Sequence, residues 1–345
     1  MEKKTILVTG NLGYIGSVMA PVLVEKGYEV VGYDIGYYED CYLKPAPQAL
    51  LKQIKKDVRD CEVSDFEGID AVIHLAGLSN DPLGELNPNL TEEINFKGTM
   101  RLAECAKKAG VKRFTYASSQ SIYGISDTSK EATEDDPKNP LTAYAITKWK
   151  SECELGKMAD ENFCPVYMRP ATAYGASPNL RCDIVFNAFM GYAYTSKKIE
   201  VKSDGTPWRP MAHIRDIISA FIAGVEAPTE LVYNQPFNVG TDSNNYTVRD
   251  IAEAAKNIVP GSELVFTGEH VDSRSYRVSS HKILTVLKDY YKPEWDLEKG
   301  AADLLELYDE VGFNQEIFDS WKCTRLKCLK KKLDEGVVDG ELRRI

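Results

Sequence analysis

Apolar and polar positions along this chain switch period in a regular alternation. Short apolar runs at residues 5–8, 29–33, 53–56, 71–75, 113–117 and 165–169 read as strands. Helical spacing fills the stretches 14–26, 90–109 and 143–161 between them. The alternation predicts an α/β fold, a doubly wound and mainly parallel sheet with helices on both faces. In that architecture ligands sit beyond the carboxyl ends of the strands.

From about residue 175 the pattern becomes irregular. A helix at 183–195, a short strand at 199–201 and the turn Asp204-Gly205-Thr206-Pro207 come first. A sheet-covering helix at 214–225 and a late strand at 237–239 predict a return to the first unit. The remainder, about 247–345, reads as mostly helical with one strand at 262–266. The expected division is therefore residues 1–175 with about 212–240 as one domain. About 176–211 with 241–345 form a smaller, mostly helical one. The tail 325–333 is basic and amphipathic. A membrane or partner surface is one reading; a helix packing Leu326, Leu329 and Leu333 on the body, its lysines solvated, is preferred.

At 345 residues, with 43% hydrophobic and 27% charged positions, the composition is that of an ordinary globular chain. A formal charge of −10 argues against a nucleic-acid surface. No apolar stretch approaches a membrane span, and Met1-Glu2-Lys3-Lys4 leads straight into a strand. Eight scattered cysteines without a C-x-x-C pair, and four isolated histidines, offer neither a disulfide framework nor a metal site. A reducing, cytoplasmic setting is expected, without a metal.

The run 5–8 is followed at once by Thr9-Gly10-Asn11-Leu12-Gly13-Tyr14-Ile15-Gly16. Glycine at 10, 13 and 16 suits a turn whose torsions exclude a Cβ and whose main chain a pyrophosphate must approach. The helix that follows offers free N–H groups and a positive dipole end to phosphates. Asp34 ends the next strand, where a carboxylate accepts from ribose hydroxyls and repels a 2′-phosphate, so NAD(H) is favoured over NADP(H). A solvated loop aspartate is the alternative. Asp57-Val58, after the third strand, is placed for the adenine, although a strand-end turn explains it almost as well.

Tyr144 and Lys148, spaced i, i+4, share a helix face. A free phenol, with pKa ~10, is too weakly acidic to act as a base near neutrality. A neighbouring ammonium and the positive nicotinamide of NAD⁺ favour the phenolate. Ser119 can hydrogen-bond the same substrate oxygen. Tyrosine and lysine four apart are common by chance; after a glycine turn, with a serine pair at a strand end between, they point to hydride exchange at an alcohol.

At these residues the chain resembles the extended short-chain dehydrogenase/reductases, specifically the NAD-dependent nucleotide-sugar epimerase/dehydratase family. The shared motifs span nearly the whole chain: the glycine turn, Asp34, Asp57-Val58, His74-Leu75-Ala76-Gly77, Asn95-Phe96-Lys97-Gly98-Thr99, Ser118-Ser119…Tyr123-Gly124, Tyr144…Lys148, Arg169-Pro170…Tyr174-Gly175 and Trp208-Arg209…His213. The resemblance implies a Rossmann-like sheet, with Ser119, Tyr144 and Lys148 as the catalytic triad. Ser119 is preferred to Ser118 because it stands four residues before Tyr123. Tyr14, Ile15, Leu75, Ala76, Gly77, Asn95, Lys148 and Pro170 would line the cofactor. Asn11 departs from the glycine or alanine of many relatives, and asparagine tolerates left-handed torsions. Family dimers imply a homodimer pairing helices 90–109 and 143–161 in a four-helix contact, which sedimentation tests.

Relatives grip a nucleoside diphosphate with arginines, and Arg209 and Arg274 stand at matching positions. Asn179 and Arg181 are further candidates; surface ion pairing is the alternative for each arginine. The loop Leu78-Ser79-Asn80-Asp81-Pro82 either touches the sugar or is an ordinary turn. After Ser119, the family's 4,6-dehydratases carry Asp-Glu and its 3,5-epimerising members a cysteine at the second position. Here Gln120-Ser121 stands instead. The expected reaction is hydride exchange at C4 of a nucleoside-diphosphate sugar, as a 4-epimerase or 4-dehydrogenase/4-ketoreductase. A 4,6-dehydratase and a catalytically silent NAD(H)-binding sensor or scaffold are the alternatives. Which base and which sugar stay open.

Overall fold

Seven strands lie parallel in one sheet, in the order Gln235–Val239, Cys164–Pro170, Arg113–Ala117, Ala71–His74, Thr5–Thr9, Glu29–Tyr33, Lys52–Ile54. This computed structural model describes residues 3–45, 50–79, 81–268 and 275–345. The strand order reverses between Thr5–Thr9 and Ala71–His74, which opens a crevice at their carboxyl ends. All six early strands read from the sequence are present, and residues 214–239 return to the sheet as expected.

Alternating side chains of each strand feed two cores. Ile6 and Val8 face one, with Met19 and Leu23 of helix Gly16–Glu25 and Ile217 and Phe221 of helix Ile214–Glu226. Leu7 faces the other, with Leu102 and Ala106 of helix Gly98–Lys108 and Leu155 of helix Ala143–Met158. Helices on both faces thus follow from the strands' two-residue period.

The helix expected at 90–109 is interrupted. Pro88–Thr91 runs into a π-helical turn, Glu92–Lys97, before Gly98–Lys108 resumes α geometry. The turn buries Asn95 against the loop after Ala71–His74, and π turns often occur at functional positions. No local propensity announces it.

A third core, including Phe186, Met190, Ile251, Leu304 and Tyr308, belongs to the second half of the chain. Pattern reading missed the three-stranded sheet of Asn245–Thr247, Trp208–His213 and Thr172–Tyr174. Two of its strands are three residues long and the third contains Pro210, so neither length nor period marks them. Lys198–Val201 pairs in parallel with Glu263–Phe266.

Helix Arg325–Asp334 packs Leu329, with Leu326 and Leu333 beside it, on the first half's core. Its lysines are not all solvated. The buried stripe is Arg325, Cys328, Leu329 and Lys332, an i, i+3, i+4, i+7 face that carries two cations. Lys332 pairs with Asp40 at 2.5 Å, and Arg325 is 1% exposed. The helix lies in a crease between two parts of the body, so charged edge positions find polar partners there.

Arg169 and Glu152 form a buried pair, Nη2 to Oε2 2.6 Å and Nε to Oε1 3.0 Å, with the Tyr123 hydroxyl accepting from Nη1. Replacing Arg169 by Met leaves the Glu152 carboxylate buried without its cation, which costs about 3–5 kcal/mol. Urea unfolding should show that loss as a lowered midpoint with an unchanged slope; a shift below about 1 kcal/mol would remove the pair from the stabilising set.

Candidate active site

The glycine turn is as tight as its sequence implies. Gly10 has φ +71°, and a Cβ there would lie 2.9 Å from the Ala76 backbone nitrogen. A Cβ on Gly16 would fall 2.2 Å from the Gly10 carbonyl oxygen. Helix Gly16–Glu25 carries no acidic residue in its first turn, so its dipole end is left for an anion. Asn11 does not use a left-handed torsion. Its amide instead pairs with Gln53, donating to Oε1 at 2.7 Å. A Cβ on Gly32 would meet that amide at 2.4 Å, so the space left by glycine admits the asparagine.

Asp34 accepts from the Leu12 and Gly36 N–H groups at 3.1 and 2.7 Å. Burial pushes its carboxyl above the ordinary range, against the pull of those two donors. Asp57 is the residue at which a strand-end turn wins: it caps the turn Val58–Asp60 and grips Arg59, Nη2 to Oδ2 2.6 Å. Its carboxylate is committed, although Asp57 and Val58 both line the groove.

Asn95 accepts from the Leu78 N–H at 2.7 Å and donates to the Leu78 carbonyl at 3.0 Å. It holds the Leu75–Leu78 loop and lines neither cavity. Beneath that loop the Thr99 hydroxyl donates to the Asn95 carbonyl, while Thr9 Oγ1 accepts from the Leu75 and Ala76 N–H groups. His74 bridges the two threonines, Nδ1 to Thr9 at 2.7 Å and Nε2 to Thr99 at 2.8 Å. With Thr99 spending its proton on the carbonyl, Nε2–H must donate and Nδ1 must accept. The imidazole is neutral: burial, then Lys148's charge, lowers its pKa to about 3.

A cleft of about 640 Å³ opens beside this groove, lined by Ser119, Tyr144, Lys148, Pro170, Arg181, Arg209 and Tyr276 among others. Ser119 caps the short turn Gln120–Tyr123. Burial pushes the Tyr144 phenol up to about 12, partly offset by its hydrogen bond with Ser119. Lys148 donates to the Ala117 carbonyl at 2.6 Å, its Nζ 5.7 Å from the Tyr144 ring centre. Burial lowers it to about 8, against the charge of Glu152. Burial thus outweighs the Ser119 hydrogen bond and the charge of Arg181, and the protein alone leaves the phenol protonated near neutrality. Gln120 turns inward to the Val239 carbonyl, whereas Ser121 lines the cleft.

The nucleotide candidates separate. Arg181 stands between groove and cleft, Nε to Asp183 Oδ1 2.8 Å and Nη1 to Ser79 Oγ 3.2 Å. Arg209 lies on the cleft wall and donates to the Trp208 carbonyl. Asn179 lines neither cavity: its amide nitrogen serves the Leu12 and Tyr38 carbonyls, both at 2.8 Å. Its expected reach to the nucleotide gives way to holding backbone together. Arg274 and Asn80 lie outside the described residues. The loop read as a possible sugar contact does bring Ser79, Asp81 and Pro82 to the cleft wall, whereas sequence reasoning missed Thr142 and Tyr276 there and Arg325 in the groove.

A family model, NAD dependent epimerase/dehydratase family, matches residues 6–240. The chain belongs to that family. Its cofactor is NAD, and the glycine cradle, the acid-free helix end and Asp34 fit one. A UDP-glucose 4-epimerase of Bacillus subtilis is 29% identical over 335 residues, 87% of this chain and 94% of its own. A dTDP-D-glucose 4,6-dehydratase of Mus musculus is 26% identical over 340 residues, 92% and 91% of the two chains. The solved structure of MoeE5 in complex with UDP-glucuronic acid and NAD, 25% identical, superposes with a TM-score of 0.75 over 89% of this chain and 99% of its own. This family holds both epimerases and dehydratases, so membership fixes an NAD-dependent enzyme class acting on nucleotide sugars without choosing the reaction. Among the described residues no helix is long and apolar enough to cross a membrane.

His74 gives this site a pH signature. The unfolded imidazole takes a proton near pH ~6.5, whereas the native one resists until about 3. Unfolded chains therefore bind the extra proton, and stability falls as pH drops through that window. His74→Gln should flatten the dependence of the urea midpoint between pH 6.5 and 4; an unchanged slope would contradict the neutral, doubly bonded ring.

Proposed function

We propose that this enzyme exchanges hydride at C4 of a nucleoside-diphosphate sugar, as a 4-epimerase or a 4-dehydrogenase/4-ketoreductase. The observation that supports it is a Ser119–Tyr144–Lys148 cleft whose following positions hold an inward-turned glutamine and a serine. NAD in the adjoining groove supplies the hydride acceptor at C4 and, when oxidised, a positive charge beside the phenol. Ser119 and Tyr144 bracket the C4 oxygen; Tyr144 takes its proton, and can return it when hydride comes back. Lys148, anchored on the Ala117 carbonyl, keeps further N–H donors for the cleft. Arg209 and Arg181 offer guanidinium groups to diphosphate oxygens, each charge-assisted bond contributing roughly 1.5–3 kcal/mol. Arg274 is the sequence's second candidate for that work.

Loss of water across C5–C6 needs an acid and a carbon base, and neither Gln120 nor Ser121 can serve at ordinary pKa. Asp81 lines the cleft and its charge reaches Tyr144, while Thr142 donates to it at 2.6 Å. It is the residue to suspect if the dehydratase reading wins.

Turnover of UDP-, GDP-, dTDP- and CDP-sugars, followed by mass and NMR, separates the outcomes. A product of equal mass with inverted C4, or one lighter by two hydrogens, is expected. A 4-keto-6-deoxy product, lighter by one water, would overturn the proposal. Tyr144→Phe should lower turnover by ~10²-fold or more, since a general acid–base group contributes about that much.

The cofactor preference rests on Asp34. NAD(H) should bind better than NADP(H), and Asp34→Ala should narrow the gap. Equal affinity of the unaltered enzyme for both would remove the role given to this carboxylate.

A further inference from the structure

The adenosine end of the groove is built by the loops after strands Glu29–Tyr33 and Lys52–Ile54, residues 34–41 and 55–60. Apart from those of Arg325 and Lys327, the side-chain hydrogen bonds and ion pairs that residues 325–345 make with the rest of the chain fall on those two loops. Lys332 pairs with Asp40, and Arg344 donates to Glu39 at 2.7 Å and to the Ile35 carbonyl at 3.3 Å. Arg343 pairs with Asp60, Arg59 donates to the Glu341 carbonyl at 2.9 Å, and the Tyr37 hydroxyl donates to the Leu342 carbonyl. Leu329, Val338 and Leu342 are buried in the same core as Tyr37 and Val58.

Arg325 carries the connection into the groove itself. It is among the groove's lining residues, with its guanidinium carbon 4.6 Å from the Tyr38 ring centre. Nη2 donates to Asn179 Oδ1 at 2.6 Å and to the Asn179 carbonyl at 2.8 Å. Asn179 in turn donates to Leu12, inside the glycine turn, and to Tyr38. One buried side chain thus ties the C-terminal helix to both walls of the cofactor groove.

We infer that residues 325–345 are a strap that closes the adenosine end of the groove, with Arg325 as its positioning residue, so that NAD(H) stays bound from one turnover to the next. A retained cofactor must return its hydride to the sugar it came from. Resting on the C4 reading above, the strap therefore favours epimerisation over net oxidation or reduction, which needs cofactor exchange at each cycle. For the closed cycle the atoms balance without an outside oxidant: hydride leaves C4 for NAD⁺ and the proton leaves the C4 hydroxyl oxygen, then the proton returns to that oxygen and hydride to the opposite face of C4.

The test measures NAD(H) release from the purified full-length enzyme and from two variants. In Arg343→Ala/Arg344→Ala the loss is of partly exposed side chains, so folding is spared; Arg325→Ala removes the buried link. NAD(H) should co-purify with the unaltered enzyme and survive gel filtration. Both variants should release it at least about tenfold faster, as expected for losing charge-assisted bonds. Excess NAD should restore their activity at an unchanged KM for the nucleotide sugar, a split that general destabilisation would not give. Free exchange in the unaltered enzyme, or unaltered release in the surface double variant, would overturn the strap whatever becomes of Arg325→Ala. If the strap variants lose NAD(H) as expected but every product lacks two hydrogens, the strap stands and the choice of epimerisation falls. If no nucleotide sugar turns over, the C4 reading falls alone.

Discussion

The close approach of two loop backbones is the constraint on which this site depends. Gly10 brings the turn after the first strand against the backbone of Ala76, after the fourth, with no room for a methyl group between them. Gly16 folds the same turn back over Gly10. Everything nearby is fitted to that contact. Thr9 spends its oxygen on the Leu75 and Ala76 N–H groups, His74 holds Thr9, and Asn95 pins the loop two residues further on. The result is a groove whose floor is main chain, which is what a pyrophosphate needs.

Much of this was legible in the sequence because it is local. Six sheet strands and the helices between them follow from period alone, and the glycine spacing states its own steric reason. Tyr144 and Lys148 share a face because four residues make one turn of helix. What escaped is what long-range packing decides. Asp57 had two readings, and the nearby Arg59 settled its carboxylate on the structural one. Asn179 sits in a stretch that invites a ligand-binding role, yet three segments distant in sequence claim its amide and carbonyl. The π turn at Glu92–Lys97 and the strand containing Pro210 run against local preference, so only the assembled core shows them. Lys332 reads as solvated because a helical wheel cannot reveal that Asp40 waits beside it.

Tyr144 and Lys148 illustrate how burial can oppose a motif. Lysine beside tyrosine is an economical sequence signal for a phenolate, but desolvation acts on both groups in the direction of neutrality. Tyr144 is driven up and Lys148 down. The site at rest is therefore uncharged at the phenol and only partly cationic at the lysine above neutral pH. In the proposed reaction, a cleft arranged this way would keep the proton in place until substrate and oxidised cofactor are present together.

The docking of the C-terminal segment also has a consequence for how the molecule is made. Residues 34–60 leave the ribosome long before their partners at 325–345. Contacts spanning nearly three hundred residues carry a large loop-closure cost and form late. During synthesis the strands around the groove can pair while its far end still stands open. The nucleotide pocket is thus completed only once residues 325–345 have been made, and a chain released before them would own Ser119, Tyr144 and Lys148 while lacking one wall of its cofactor site.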